Sequence, residues 1–142
     1  MSVKFNASKY SQASQASDYY SDIYTNLDIH PATGDTMRLR NESAVIQSVR
    51  NLLLTGFYER PFQPLIGSRL RESLFEDVSM ITSLKIKTAI QDTLKNYEPR
   101  VDLLETIVEP AYDENGYNIR LKFSLINSIQ PVEIDFFLNR VR

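Results

Sequence analysis

Gly116-Tyr117-Asn118-Ile119-Arg120-Leu121-Lys122-Phe123-Ser124-Leu125 is the stretch whose reading decides the fold. Large apolar residues occupy every odd position and polar ones nearly every even position. That period of two is a half-buried strand with one face on a core and one in water. Val132-Glu133-Ile134-Asp135-Phe136-Phe137-Leu138-Asn139 repeats the pattern. Upstream, Asp113-Glu114-Asn115-Gly116 carries Asn-Gly, the strongest short hairpin signal, so a partner strand is expected from about Leu103. Counting outward from a two-residue turn at Asn115-Gly116 pairs Val108 with Phe123, Tyr112 with Ile119 and Glu109 with Lys122. A longer, four-residue loop slides this register by two and leaves every residue on the same face. The polar face is sorted by charge. Arg120 and Lys122 lie on one strand, and Glu105/Glu109 and Glu133/Asp135 lie on its neighbours. Opposite charges across adjacent strands favour a meander with the basic strand central, which leaves Val132–Asn139 at an edge.

Before residue 100 the period is helical. Val45, Val49 and Leu52/Leu53 form one stripe, with Asn41 as the expected N-cap and Gly56 as the expected left-handed residue past the helix end. A short helix is expected over about Ser68–Glu76. A longer one is expected over Ser79–Tyr97, striped by Ile86, Ile90, Leu94 and Tyr97, and Pro99 stops it by pushing Glu98 out of the helical region. Between the first two lies Tyr58-Glu59-Arg60-Pro61-Phe62-Gln63-Pro64-Leu65-Ile66-Gly67, whose two prolines forbid a helix. The predicted fold is α+β: three helices packed on one face of a small antiparallel meander. Residues 1–40 read as an extended arm and linker, and 41–142 as a single domain. The arm is rich in Ser, Gln and Tyr, too poor in aliphatic residues to offset backbone ordering, and its tyrosines offer contact area to a partner.

The 142 residues suit one domain, with 16 basic against 18 acidic residues and a net charge of −2. No broad basic surface for nucleic acid is available. Zero cysteines exclude disulfides and thiolate chemistry, and one histidine, His30, leaves little scope for imidazole catalysis. No apolar run approaches the ~18 residues of a membrane span. With four glycines there is no phosphate loop or dinucleotide fingerprint. No catalytic residue, metal ligand or cofactor is therefore assigned, and neither nucleic acid nor membrane is expected as a partner.

Three elements remain as candidate sites. Paired carboxylates are the only enzymatic candidates: Glu72 and Glu76 lie four apart on the short helix and Glu98 lies at a loop, whereas a glycosidase needs two acids on one cleft and one raised pKa; four-spaced acids on a short helix more often form a solvated face. Arg60 and Arg100 each sit beside a proline and close after a glutamate, in Glu59-Arg60-Pro61 and Glu98-Pro99-Arg100. Such an arginine either pairs internally and pins a loop, or presents a guanidinium fork to a partner on a rigid turn. Phe62 reads as a core plug rather than an exposed anchor. The last strand, with Val132, Ile134, Phe136 and Leu138, either offers an open edge for strand addition or is guarded by Glu133, Asp135, Arg140 and Arg142.

Arg60-Pro61-Phe62-x-Pro64-x-x-Gly67, Leu74-Phe75-Glu76 and Asn96-Tyr97-Glu98-Pro99-Arg100-Val101 together resemble the baseplate wedge family of T-even-type contractile phage tails. This family is also called the sheath initiator and has TssE-type relatives in type VI secretion. Tyr20-Ser21-Asp22-Ile23 resembles its N-terminal stretch, so the resemblance spans about residues 20–139. Tyr58 stands where the family commonly has glycine, and Ile66 where it often has an aromatic. The resemblance implies a structural virion protein of the tail baseplate, assembled in the host cytoplasm. It implies that Glu98, Pro99 and Arg100 dock on the wedge core. It also implies that the last strand templates the first sheath ring. The implied partners are wedge proteins and the sheath subunit, with the tail tube alongside. Family members are also labelled lysozyme-like, which keeps a peptidoglycan-degrading enzyme as the alternative.

Overall fold

A computed structural model describes residues 20–126, 128 and 130–140. Its elements run β1 (Ser21–Ile23), β2 (Arg38–Arg40), α1 (Glu42–Leu54), α2 (Leu70–Ser73), α3 (Met80–Tyr97), β3 (Val101–Ala111), β4 (Gly116–Leu125) and β5 (Val132–Asn139). The fold is α+β, as the sequence periods require. The three long strands form an antiparallel meander, β3-β4-β5, with the basic strand in the centre. Arg120 lies opposite Asp135 and its Nε reaches Glu133 and Asp135 at 3.1 and 2.9 Å.

The inner face of β4 is Tyr117, Ile119, Leu121, Phe123 and Leu125, all buried. They pack in one core with Val45, Val49, Leu52 and Leu53 of α1, Ile86, Ile90 and Leu94 of α3, and Val132, Ile134 and Leu138 of β5. Ser79 caps α3, its side chain accepting from the Thr82 amide. α2 is shorter than its pattern suggested. After Ser73 the chain tightens into turns in which Phe75 and Glu76 donate to carbonyls three residues back, Glu72 and Ser73.

The hairpin register differs from the count made on Asn115-Gly116. The turn is the four residues Tyr112 to Asn115, so Val108 pairs with Ile119 and Glu109 with Asn118. Asn115 takes the left-handed conformation (φ 51°), while Gly116 opens β4. The glycine is needed for space: a Cβ there would lie 2.4 Å from the Phe137 ring and 2.5 Å from the Leu138 carbonyl oxygen. The facing of each strand is preserved because the register moved by an even number. A bulge at Leu104 shifts the lower half of β3.

Two end signals also resolve differently. Asn41 sits at the start of α1, but its side chain makes no cap to the helix; its Oδ1 accepts from the Tyr20 amide at 3.4 Å. Gly56 is not left-handed, and α1 ends on Thr55 in an extended conformation. Residues 1–19 of the expected arm lie outside the described residues. Over 20–40 the chain is a β ribbon rather than an open linker, with Ser21 opposite Arg40 and Ile23 opposite Arg38. Gln47 of α1 holds it, donating to the Ile23 carbonyl at 2.7 Å and accepting from the Thr25 amide at 3.0 Å. Long-range hydrogen bonding supplies the order that the aliphatic-poor composition does not.

Candidate functional site

Glu98, Pro99 and Arg100 form the turn that joins α3 to β3. Pro99 occupies the second turn position, where its fixed φ is favoured, and the Val101 amide closes the turn on the Glu98 carbonyl at 3.1 Å. The Glu98 side chain is only 4% exposed. Its Oε1 accepts from Arg100 Nε at 2.6 Å, and its Oε2 accepts from Arg100 Nη2 at 2.8 Å and from Ser48 Oγ at 2.7 Å. Burial pushes the Glu98 pKa up, but the Arg100 and Ser48 hydrogen bonds and the adjacent guanidinium charge outweigh it, so the carboxyl is held below its ordinary range. The same hydrogen bond raises the Arg100 pKa against its own desolvation.

The other face of Arg100 lies over the Tyr20 ring, 5.3 Å from its centroid, and the Arg100 carbonyl accepts from the Ile126 amide. Four segments therefore meet at this turn: the ribbon, α1, α3 and the end of β4. The guanidinium fork is spent inside the chain, as the internal-pair reading had it. What faces solvent is Pro99 and about a third of Arg100.

The second motif behaves differently. Glu59 ignores Arg60; it accepts from the Gly56 amide at 2.8 Å and pairs with Arg71. Phe62 is wholly exposed, at 101% relative accessibility, so the expected core plug is instead a projecting ring. The proline on either side holds the loop out, away from the core formed by α1 and α3. Pro64 closes the loop by accepting from the Tyr58 amide at 2.8 Å. Gly67 lies in the buried neck, where a Cβ would stand 2.7 Å from the Gly56 carbonyl oxygen.

The third element is the β5 edge. The Arg140 amide donates to the Asn115 carbonyl at 3.0 Å, which fixes the phase of the β4–β5 ladder. In an antiparallel pair, hydrogen-bonded and non-bonded positions alternate. Val132, Ile134, Phe136 and Leu138 therefore turn their backbone groups toward β4, and Val132, Ile134 and Leu138 also bury their side chains. The outward N–H and C=O groups are those of Glu133, Asp135, Phe137 and Asn139. Among the described residues no other backbone segment bonds to them.

The same phase, anchored by the Ile126-to-Arg100 bond, makes β3 a poor template. Its outward positions include Pro110, which has no N–H, the Leu104 bulge, and Val101, whose N–H is already used. Of the meander's two edges, β5 is the one whose outward groups form an uninterrupted row without a backbone partner among the described residues.

One surface was missed by sequence reading. Phe75, Met80, Ile81 and Leu84 are all exposed, at the N-terminal end of α3. Ile81 and Leu84 fall off the Ile86/Ile90/Leu94 stripe, and that mismatch was the available signal. As for the carboxylates, Glu76 is exposed and receives Lys85 Nζ at 2.7 and 2.8 Å, hydrogen bonds that hold its pKa down against a smaller desolvation. Among the described residues no group of three or more His, Asp or Glu is placed to hold a metal, and no helix is long and apolar enough to cross a membrane.

The described residues make a small α+β body whose distinctive features are turns, a projecting loop and an exposed strand edge rather than a cleft with paired acids or a metal cluster. Residues 39–130 match the family model described as baseplate wedge protein gp25, and the chain belongs to that family. The matched span holds both loop motifs and stops short of β5. The chain is 33% identical over 97 residues to baseplate wedge protein gp25 of Enterobacteria phage T4, covering 66% of this chain and 74% of the relative. Its fold is that of a protein in the anti-feeding prophage baseplate (TM-score 0.68, 23% identity, 78% of this chain and 89% of the other). It is also that of a protein named as a tail lysozyme from Geobacter sulfurreducens (TM-score 0.64, 20% identity, 69% and 89%). A protein of the postcontracted pyocin R2 baseplate aligns with TM-score 0.56 at 23% identity, over 69% of this chain and 96% of its own. The chain is thus a structural baseplate wedge protein of a contractile tail.

Proposed function

We propose that this chain nucleates the contractile sheath from the tail baseplate of the particle, without enzymatic activity. Residues 41–142 act as the body and residues 1–40 as an arm adding partner contacts. The body is anchored to wedge proteins through the Glu98-Pro99-Arg100 turn. Because Arg100 and Glu98 satisfy each other, their part in docking is to hold Pro99 and the exposed third of the guanidinium in a fixed shape. β5 then accepts a strand from the first sheath subunit, beside the tail tube, and assembly takes place in the cytoplasm of the producing cell.

The observation that carries this reading is the alternate row at Glu133, Asp135, Phe137 and Asn139, which has no backbone partner among the described residues. Strand addition uses such a row directly. Against the muramidase alternative, Glu98 is ionised at neutral pH and enclosed by Arg100 and Ser48, so it has no proton to give as a general acid.

Deleting β5 would remove Ile134 and Leu138 from the core, so the test must spare them. Asp135→Pro removes one outward N–H and leaves the β4 ladder intact, since proline is tolerated at an outward edge position. The expected result is tubes and baseplates without extended sheath, while Asp135→Ala assembles normally. Full-length sheath on the Asp135→Pro protein overturns the templating role.

A further inference from the structure

Arg60-Pro61-Phe62-Gln63 is a turn closed by the Gln63 amide on the Arg60 carbonyl at 3.3 Å. Proline at its second position and φ of 69° at its third are the pattern of a type II turn. That third position favours glycine, because a Cβ crowds the backbone there. This chain puts phenylalanine in it, and the ring is fully exposed. Folding alone gives no reason for either choice. Tyr58 repeats the anomaly at the loop's base, with φ of 65° and 79% exposure.

The loop that carries the ring is braced along its length. Tyr58 donates to the Pro64 carbonyl, Ile66 to the Gln63 carbonyl at 3.1 Å, and the Tyr97 hydroxyl to the Leu65 carbonyl at 2.6 Å. At the neck, Ser68 donates to the Thr55 carbonyl at 2.8 Å by its amide and to the Leu53 carbonyl at 2.6 Å by its hydroxyl. An aromatic on such a preformed tip loses little freedom on binding. The charges are arranged to match. Glu59 is neutralised by Arg71, whereas Arg60, exposed beside Phe62, has no ion pair among the described residues. The tip thus presents one ring and one uncompensated guanidinium.

We propose that this loop is a docking knob that inserts Phe62 into an apolar pocket of a different protein, with Arg60 meeting a carboxylate on the pocket's rim. A single cation beside an apolar ring suits neither a nucleic-acid backbone nor an anionic membrane, both of which are met by several cations. A second copy of this chain fits less well. The cavity of about 320 Å³ at the β1–β2 ribbon is lined by Ser21, Asp22, Asp35, Thr36 and Arg38 with Ile23 alone apolar, so it offers carboxylates to Arg60 but no apolar seat for the Phe62 ring. The knob sits by the C-terminal end of α3, tied through Tyr97 to the residue that precedes the Glu98-Pro99-Arg100 turn, and does not depend on strand addition at β5.

The test begins with Phe62→Gly, which suits the turn's backbone better than the native residue. Its melting temperature is expected to equal or exceed that of the unaltered protein, while its incorporation into particles falls about tenfold or more. In producing cells, p-benzoylphenylalanine at position 62 is expected to crosslink to one other polypeptide, at an apolar pocket bearing Asp or Glu. Arg60→Glu should weaken that crosslink, and reversing the pocket carboxylate to Lys should restore it. Asp135→Pro should leave the crosslink intact, which separates this inference from the templating reading. Normal incorporation of Phe62→Gly, a fall of several degrees in its melting temperature, or crosslinks only to another copy or to lipid would each overturn the proposal.

Discussion

Replacing Arg100 with alanine removes two of the three hydrogen bonds on a carboxylate that is 4% exposed, leaving Ser48 alone. Breaking a buried ion pair by removing one partner costs about 3–5 kcal/mol, because the remaining charge is stranded. Arg100 is one-third exposed, and its removal lets water approach Glu98, so about 2–3 kcal/mol is the reasoned loss here. Stacking of the guanidinium on Tyr20 adds a fraction of this, about 0.5 kcal/mol. For a chain of this size each kcal/mol moves the melting temperature by roughly 3–5 °C. Arg100→Ala should therefore melt about 10 °C lower. Replacing both members, Glu98→Met with Arg100→Met, removes the stranded charge and should recover most of the loss, with a coupling energy of about 2 kcal/mol in the double-mutant cycle.

The pH dependence gives an independent check. Glu98's folded pKa is depressed, so its contribution is fully present above the ordinary carboxylate pKa and is lost as pH falls through the folded value. In Arg100→Ala, burial acts without the compensating guanidinium, and the folded pKa moves upward instead. The melting-temperature gap between the two proteins is thus widest at neutral pH, begins to narrow above the ordinary glutamate value of about 4.3 as the stranded carboxyl of the variant takes up its proton, and goes on narrowing below it as Glu98 of the unaltered protein protonates. Differential scanning calorimetry from pH 3 to 7 measures it. A gap under about 2 °C, an additive cycle, or a gap that widens in acid would refute the argument that Arg100 works chiefly by neutralising Glu98.

Other substitutions probe separate points of the structure. Thr106 is buried opposite Leu121 with its hydroxyl unpartnered, so Thr106→Val should raise stability by about 1 kcal/mol in urea unfolding. Gly67→Ala places a Cβ against the Gly56 carbonyl and should cost about 1–3 kcal/mol by the same measurement. Gly116→Ala must displace both the Phe137 ring and the Leu138 backbone, and is expected to lower the melting temperature while exposing Phe137, seen as faster amide exchange along β5.

Side-chain periodicity made the meander, its central basic strand and α3 legible, because burial on one face imposes a rhythm on the residues themselves. The same reading placed Phe62 in the core. An aromatic beside proline carries no period, and nothing in Arg60-Pro61-Phe62 tells whether the ring points in or out. The register error at Asn115-Gly116 has a related cause. Asn-Gly marked the turn region correctly, but the need for glycine came from Phe137, some twenty residues away. Backbone order over 20–40 was illegible for the same reason: it depends on Gln47, which in the sequence is one more polar residue on the solvent side of α1.

The backbone phase of β5 goes furthest beyond the sequence, and it changes what the candidate strand does. Val132, Ile134, Phe136 and Leu138 stand out because they are apolar, but their backbone groups face β4, so they hold the strand in the sheet. The groups able to receive a neighbour belong to the residues between them. Glu133 and Asp135 there already share Arg120, so an incoming strand meets carboxylates that are partly compensated. At one end of this row Val132 pairs with Phe123, close to where Arg100 ties the end of β4 through Ile126. From that end the eight residues of β5 extend about 26 Å. If the Glu98-Pro99-Arg100 turn is the fixed point, the added strand lies along a direction set by the anchor. A rigid internal ion pair at the anchor then matters for the angle at which sheath growth begins. An Arg100→Lys protein that still binds the wedge but starts sheaths at irregular angles in electron micrographs is the expected sign of that coupling, and uniform sheath growth from Arg100→Lys baseplates would show that the turn and the edge act independently.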